Sequence, residues 1–308
     1  MRSSTRMRAR ATVALVALAL PSSPACRPSF EDDPARVTDT RVLAVRIEPP
    51  EVRPGDTVVA RALVASRSGT VSDAVVEWAA CREPKAPSEN RSVSQACLDD
   101  LLPSAGTGLE VSVAIPGDAC ALFGPETPPG GLRPRDADAT GGYFQPIRLE
   151  LDGDTAIALE RILCGLPSAP IDVALALRSG YTPNRNPTIR SVAALVRGTP
   201  TPMDGIPTDE EVRFEIEWEP GDAEGYLAFD PAEGRIVSRR EALRVAWLAT
   251  GGELEVEQTA LGEDDVSTTM DNAWRAPPAP GVVHLWAVLR DSRGGLDFTA
   301  WDAVVAER

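Results

Sequence analysis

Histidine, the commonest catalytic base, is nearly absent from this chain, whereas carboxylates are abundant. His284 is the only histidine, so a Ser-His-Asp or Cys-His arrangement has one candidate base. It lies within the run Val282–Trp286, where the flanking apolar residues predict a position on a sheet face. The chain contains no G-x-S-x-G, H-E-x-x-H or G-x-x-x-x-G-K motif. The sequence therefore predicts a protein that is not an enzyme, with no catalytic residue assigned.

The abundant carboxylates suggest two other kinds of site. Paired acids perform glycoside hydrolysis when two of them converge about 5–10 Å apart in a cleft, but aromatic residues that would stack on sugars make up only 5% of the chain. The run Asp136–Gly141 begins like an EF-hand loop, yet the twelfth position is Ile147 rather than a bidentate glutamate. We predict no metal and no cofactor, and a divergent carboxylate-dependent hydrolase is the weakest alternative.

The first 26 residues have the layout of a secretory signal. Four arginines lie within residues 2–10, an uncharged apolar stretch follows at Ala11–Leu20, and small residues precede Cys26. The apolar stretch is too short for a membrane-spanning helix, which needs about 20 residues to cross a hydrocarbon core of about 30 Å. We predict that residues 1–25 are a signal peptide and that the mature protein is exported.

Cys26 directly follows Ser23-Pro24-Ala25, an arrangement that resembles the lipobox of bacterial lipoproteins. In that family the cysteine is acylated and becomes the mature N-terminus. The family prefers leucine where this chain has Ser23, and Ser23 with Ala25 also suits ordinary signal peptidase, so a secreted or periplasmic protein is the alternative. The resemblance implies a lipid on Cys26 and a membrane as partner. Residues 26–40 would form the tether, and Arg27 favours the outer membrane.

The other four cysteines are predicted to form two disulfides. Cys81, Cys97, Cys120 and Cys164 contain no C-x-x-C pair, and one histidine is available, which argues against a zinc site. In an exported protein they are expected to be oxidised, and an even number remains once Cys26 is acylated. Three connectivities are possible. Pairing of nearest neighbours, 81 with 97 and 120 with 164, is favoured because it closes local loops.

The net charge of −15 excludes one class of partner. Removal of residues 1–25, which carry four arginines and no acid, makes the charge four units more negative. Nucleic-acid binding depends on lysine and arginine neutralising phosphates. We therefore predict no nucleic-acid partner, and contact with anionic lipid only through the anchor.

The elements that would position these groups are mostly short strands, as expected from the 28 prolines and 24 glycines that punctuate the chain. In the first half, alternating apolar residues predict strands over Val42–Ile47, Thr57–Ala65, Ala74–Cys81, Leu109–Ile115, Ile147–Leu151 and Ile171–Leu177. Residues Pro116–Gln145 are predicted to be an extended loop. One short helix is predicted over Thr155–Cys164, with Asp154 as N-cap and Gly165 just beyond its end.

A second module is predicted after the junction Asn184–Pro187. Its strands are expected at Thr188–Val196, Val212–Trp218, Leu243–Ala249, Val282–Arg290 and Leu296–Val305, with a loop over Gly198–Asp209. The last two strands are joined by five residues containing glycine, which is typical of a hairpin.

Each half passes through two early strands to a Val-x-Trp-x-Ala run, centred on Trp78 and on Trp247. A central tryptophan among short strands resembles the immunoglobulin-like sandwich. The fold prediction is all-β, with two Ig-like β-sandwich modules in tandem at residues 41–183 and 186–308, and one short helix in the first.

The opening run RVLAVRIEPPEVRPGDTVVARALV and the closing run VVHLWAVLRDSRGGLDFTAW are similar to Ig-like modules of uncharacterised lipoproteins from GC-rich predatory soil bacteria such as the myxobacteria. That family has no assigned activity, so the resemblance implies fold and location only.

These patterns predict a non-catalytic, lipid-anchored envelope protein that serves as a structural or protein-interaction module, with another envelope protein as partner. An exposed Trp218, Trp286 or Trp301 would favour it, because exposed aromatics mark interaction sites. The alternative is a carbohydrate-binding or adhesin module that recognises a surface glycan. A concave face carrying two or more tryptophans would favour that hypothesis.

Overall fold

The computed structural model describes residues 33–84, 93–99, 102–126, 139–167 and 169–307. Its strands are β1 (Arg41–Glu48), β2 (Glu51–Val52), β3 (Thr57–Ser66), β4 (Gly69–Thr70), β5 (Glu77–Ala80), β6 (Ser104–Thr107), β7 (Glu110–Ala114), β8 (Gly142–Leu151), β9 (Asp154–Leu163), β10 (Ile189–Val196), β11 (Thr199–Pro200), β12 (Asp204–Pro207), β13 (Glu211–Trp218), β14 (Gly225–Asp230), β15 (Arg235–Arg240), β16 (Leu243–Ala249), β17 (Glu253–Leu254), β18 (Gln258–Leu261), β19 (Thr269–Arg275), β20 (Gly281–Asp291) and β21 (Leu296–Ala306). Its helices are α1 (Ala96–Asp99), α2 (Ala119–Leu122) and α3 (Ile171–Gly180).

The first sandwich packs a four-stranded sheet against a five-stranded sheet. In the smaller sheet β3 pairs with β1 along one edge and with β4 and β7 along the other, and the larger sheet has the order β2-β9-β8-β5-β6. Alternate residues of β3, such as Val58 and Ala60, point inward and are fully buried. They share a core with Trp78, Leu149 and Ile162 from the facing sheet.

The second sandwich repeats this plan with two five-stranded sheets. Their orders are β11-β10-β13-β19-β17 and β12-β21-β20-β16-β18, and the hairpin β14–β15 forms a separate two-stranded ribbon. Strand β13 shows the predicted alternation, with Val212, Phe214, Ile216 and Trp218 buried. They pack against Trp247 and other apolar residues of the opposite sheet. The fold prediction of tandem all-β, Ig-like sandwiches is therefore confirmed.

The helix predicted at Thr155–Cys164 is wrong, because those residues form β9 and pair antiparallel with β8 along its whole length. Asp152 and Gly153 connect the two strands with φ angles of 52° and 91°. A two-residue turn with both φ angles positive is the type I′ hairpin, for which Asp-Gly is a preferred sequence. Asp154 therefore begins a strand instead of capping a helix.

Replacement of Gly153 with alanine is expected to lower the free energy of unfolding by about 1 kcal/mol, because an L side chain is strained in the left-handed region. A matched control is Gly221→Ala. A methyl group would meet no neighbouring atom at either position, and Gly221 does not have a positive φ. Urea unfolding of both variants measures the difference, and equal stabilities would contradict the assignment of the turn.

The strand predicted at Ile171–Leu177 is also wrong, because these residues begin α3. Pro170 precedes the helix, Asp172 lies in its first turn and Arg178 in its last, which places both charges favourably for the helix dipole. The run Ala-Leu-Ala-Leu within it has high helix propensity. The helix packs against the hairpin β14–β15 and leaves Ile171 80% exposed.

Two predicted loops contain regular structure. Residues Pro116–Gln145 include α2 and the start of β8, whereas residues 127–138, with the first part of the calcium-like run, lie outside the described residues. The predicted loop Gly198–Asp209 contributes β12, which pairs in parallel with β21. No helix within the described ranges is long and apolar enough to cross a membrane.

The structure contains two disulfides, Cys81–Cys97 and Cys120–Cys164, in the nearest-neighbour pairing that the sequence favoured. Their Cα atoms lie 5.4 and 5.5 Å apart. The first joins the end of β5 to α1, and the second joins α2 to the residue after β9. Each disulfide therefore attaches one connecting segment of the first sandwich to its larger sheet.

A third apolar core joins the two sandwiches. Val37, Ala44, Leu63 and Ala65 pack there against Trp286, Val288 and Leu296. Polar contacts reinforce the joint: Trp286 Nε1 donates to Thr70 Oγ1 at 2.9 Å, and Arg46 Nη1 donates to Asp297 Oδ1 at 2.7 Å. Residues Pro34–Arg308 consequently form one compact unit.

Residues Pro34–Thr40 of the predicted tether belong to this unit. Ala35 and Val37 are buried, and their backbone groups exchange hydrogen bonds with Ala249 at 3.0 and 2.9 Å. The chain is thus docked on the second sandwich before it enters the first.

Candidate functional site

An open cleft of about 370 Å³ lies where the first sandwich faces the β20–β21 hairpin of the second. One wall comes from β1, β9 and the start of β8; the other comes from β16 and from residues 290–296. Its apolar lining includes Val42, Val45, Phe144, Ile157, Leu159 and Leu296. Phe144 and Leu159 remain 42% and 44% exposed, so the cleft presents an accessible apolar surface.

Two arginines stand side by side on the second wall. Arg244 and Arg290 are direct cross-strand neighbours in β16 and β20, and both line the cleft. Neither side chain makes a hydrogen bond or ion pair with any residue in the described part of the chain. Burial, and next the charge of Arg244, lower the pKa of Arg290. Two guanidinium groups are therefore free to bind an anion.

Glu160 lies on the first wall as a buried carboxyl. Its residue is 1% exposed, and its Oε1 has no hydrogen-bond partner among the described residues. Burial and then the nearby Glu51 raise its pKa from an ordinary value of 4.5 to about 9, against the opposing effect of Arg161. At neutral pH the carboxyl is therefore protonated, and it lies buried beneath the first wall.

Asp291 organises the hairpin that forms the second wall. Its Oδ1 accepts backbone N–H groups of Arg293, Gly294 and Gly295 at 2.8, 2.7 and 2.9 Å, and Asn184 Nδ2 donates to Oδ2 at 3.2 Å. A side chain at position 295 would collide with this carboxylate, which explains the glycine there. Asp291 thus fixes the loop that carries Arg290 into the cleft.

Next to the hairpin lies a buried network that we call the central polar cluster, formed by Glu51, Arg161, Tyr181, Glu224, Glu241 and Arg293. The side chain of Arg293 is 3% exposed and donates to Glu241 Oε1 at 2.6 Å and to Glu224 Oε2 at 2.9 Å. Its Nη1 also donates to the hydroxyl of Tyr181 at 3.2 Å. Arg293 therefore pairs with two buried carboxylates, and Arg185 also pairs with Glu224 Oε1 at 2.5 Å.

The cluster continues into the first sandwich through Tyr181. The hydroxyl of Tyr181 donates to Glu51 Oε2 at 2.6 Å, and Arg161 Nε donates to the same oxygen at 2.8 Å. Arg161 also bonds the hydroxyl of Thr140. Since Arg161 lies on β9 and Arg293 lies between β20 and β21, the cluster links the two sandwiches on either side of the cleft.

Ionisation within the cluster is shifted by burial. Burial, and next the charge of Asp291, raise the pKa of Glu241 to about 7, although Arg293 opposes the shift. Burial and then Glu51 raise the pKa of Tyr181 to about 12. Glu241 is therefore the cluster member whose charge changes near neutral pH.

The sequence-predicted site residues lie away from the cleft. Cys26 is outside the described residues, and the four remaining cysteines form the disulfides of the first sandwich. His284 lies on β20 as predicted, and its Nδ1 lies 2.7 Å from Asp302 Oδ1 on the neighbouring strand. Within the described ranges, no three His, Cys, Asp or Glu side chains are grouped as metal ligands.

The tryptophans do not provide the exposed surface that either interaction hypothesis would favour. Trp218 and Trp286 are each 1% exposed, and Trp301 is half-buried. The other three, Trp78, Trp247 and Trp274, are also buried in the sandwich cores. The tryptophans are therefore core residues, and a ligand surface must be sought elsewhere.

Local features of the sequence explain why it does not point to the residues of the cleft. Glu160 lies between Ala158 and Ile162, on the inward phase of a strand that was interpreted as a helix. A single acid on an apolar phase is the signal that would have identified it. Arg290 and Asp291 are the last two residues of β20, next to a hairpin loop, where charged residues are typical of any solvated turn.

The hydrolase hypothesis required two carboxylates converging in a cleft. Glu160 and Asp291 both line this one, but Asp291 is engaged by three backbone N–H groups and by Asn184. It organises the turn instead of presenting a nucleophile or base. This geometry does not favour hydrolysis.

No protein-family model and no curated protein matches the chain. Solved structures with a similar arrangement include the D00-D0 domain of intimin, with 9% identity and a TM-score of 0.25, covering 87% of this chain and 99% of that one. The fibronectin(III)-like modules of CbhA from Clostridium thermocellum have 13% identity and a TM-score of 0.23, covering 86% and 94%. The adhesin InvE of Yersinia pseudotuberculosis has 8% identity and a TM-score of 0.21, covering 84% and 58%.

Proposed function

We propose that this protein is a non-catalytic binding protein of the cell envelope, exported by residues 1–25 and held at the outer membrane by a lipid on Cys26. The observation that carries the proposal is the open cleft, with its accessible apolar surface and two unpaired arginines, at the junction of two joined sandwiches. Such a site is suited to holding a ligand, and its walls are fixed by the third core and the central polar cluster. The two disulfides support export, because such bonds persist in oxidising compartments.

The anchor is supported by the layout of the N-terminal sequence. Eight residues, Arg27–Pro34, separate Cys26 from the docked Ala35. An extended stretch of that length spans at most about 30 Å. Lipidation at Cys26 would therefore keep Ala35 and the sandwich on which it docks close to the membrane, where the protein would meet ligands or partner proteins of the envelope.

Mass spectrometry of the protein purified from its native membranes tests this proposal. We expect a diacylglyceryl group on Cys26 as the first residue, and we expect the variant Cys26→Ser to leave the membrane fraction while both disulfides are retained. An N-terminus created by cleavage after Ala25 and carrying no lipid would contradict the anchor and favour a secreted or periplasmic protein.

Chemical crosslinking in intact cells tests the protein-interaction role. We propose another envelope protein as the partner, with a surface glycan as the alternative. A crosslinked protein recovered with the wild type, and also with a variant altered far from the cleft such as Arg275→Gln, supports the first. Retention on cell-wall glycan without any crosslinked protein supports the second.

A further inference from the structure

We propose that the cleft binds a small amphipathic monocarboxylate, whose carboxylate is held between Arg244 and Arg290 and whose apolar part packs against β1 and β9. The inference rests on the proposed function and deepens it by naming the class of ligand.

The arginine pair supplies the first argument. Many arginines in the described part of the chain pair with a carboxylate, as Arg61 does with Glu110 and Arg213 with Asp271. Arg244 and Arg290 instead face each other across β16 and β20 and have no acid partner in the described part of the chain. Like charges directly opposite in a sheet repel. A bound anion would remove this repulsion and supply the missing hydrogen-bond acceptors.

The local charge indicates how many negative charges the ligand carries. Arg244 and Arg290 contribute two positive charges to the cleft, and Asp291 contributes one negative charge. Glu160 contributes none at neutral pH because its pKa is raised to about 9. The remaining single positive charge is balanced by a monoanion. A guanidinium pair binds the two oxygens of a carboxylate in a planar, bidentate manner, whereas a dianionic phosphate would carry an excess charge.

The volume and lining of the cleft indicate the size and chemistry of the rest of the ligand. A volume of about 370 Å³ is near the lower end of small-molecule sites, so the ligand is small. Phe144 and Leu159 lie partly exposed at the cleft, and an apolar chain would cover them.

Calorimetric titration of the compact unit, residues 34–308, with octanoate tests this assignment. We expect saturable binding of octanoate at pH 7, at least tenfold weaker binding of 1-octanol, and weaker binding of octyl phosphate. The substitution Arg290→Gln is expected to weaken octanoate binding at least tenfold, and Arg244→Gln should act in the same direction. Arg275→Gln is the matched control, because Arg275 is exposed and lies on β19 in the opposite sheet.

Several results would overturn the proposal. They are equal binding of octanoate and 1-octanol, tighter binding of octyl phosphate than of octanoate, equal effects of Arg290→Gln and Arg275→Gln, or no binding of octanoate to the folded protein. Circular dichroism confirms that each variant is folded, and Arg290→Gln removes an unpaired charge, so it should not unfold the protein. If octanoate fails to bind while Cys26 is lipidated and a partner is crosslinked, the ligand class is wrong and the proposed function stands.

Discussion

The substitution Arg293→Met is expected to lower the free energy of unfolding by about 3–5 kcal/mol, the usual cost of removing one partner from a buried ion pair. Arg293 is the hydrogen-bond donor to Glu224 and Glu241, both of which are buried. Methionine keeps much of the side-chain volume and retains the backbone N–H that binds Asp291. Glu241 would then lose its ion-pair partner, and Glu224 would keep only the exposed Arg185, so the loss of stability would report how much Arg293 stabilises these buried carboxylates. Urea unfolding at pH 7.5 measures it.

The control for this variant is an exposed ion pair of similar geometry. Arg61 donates to Glu110 Oε2 at 2.6 Å, but the side chains are 62% and 49% exposed. Exposed pairs contribute about 0–1 kcal/mol, so Arg61→Met should have a small effect. If Arg293→Met were no more destabilising than Arg61→Met, the central polar cluster would not hold the two sandwiches together.

The second large effect concerns Glu160. In the unfolded chain this carboxyl loses its proton near pH 4.5, whereas in the folded protein its pKa of about 9 keeps it protonated. Unfolding between these values releases a proton, so the free energy of unfolding falls as pH rises, by about 1.4 kcal/mol per pH unit. The contribution of protonated Glu160 to the free energy of unfolding is fully present below pH 4.5 and is lost as pH rises through 9.

The substitution Glu160→Gln is expected to remove this slope and to stabilise the protein above pH 7. The window from pH 7 to 9 is the informative one, because Glu241, with a pKa of about 7, contributes mainly below it. The matched control is Glu77→Gln, an exposed residue on β5 in the same sheet. It should leave both the slope and the stability nearly unchanged. A variant Glu160→Gln whose slope equals that of the wild type would show that Glu160 is ionised in the folded protein.

Much of the fold was predictable from sequence because the second sandwich alternates apolar and polar residues strictly. Strand β13 is the clearest case, where Val212, Phe214 and Ile216 point inward between charged neighbours. The first sandwich is less predictable, because local patterns in it fit two structures. The apolar residues of β9 also suit one face of a helix, although Asp152-Gly153 is a preferred hairpin turn. The alternating apolar residues of α3 also suit a strand.

The candidate site could not be predicted because it depends on contacts between distant parts of the chain. Glu160 and Arg290 are 130 positions apart in sequence and share a cleft only because the third core brings the two sandwiches together. Arg293 joins acids from two other segments in the same way. A local sequence pattern carries no information about contacts between such distant residues. The two disulfides could be predicted, because each joins cysteines that follow one another along the sequence.

Differential scanning calorimetry of residues 34–308 tests the central claim most directly, namely that the sandwiches form one body that fixes the walls of the cleft. We predict a single transition whose calorimetric enthalpy equals its van't Hoff enthalpy. In Arg293→Met the whole transition should move down by on the order of 10 °C. Two separate transitions in the wild type, or a shift of only one part of the profile in Arg293→Met, would contradict the claim.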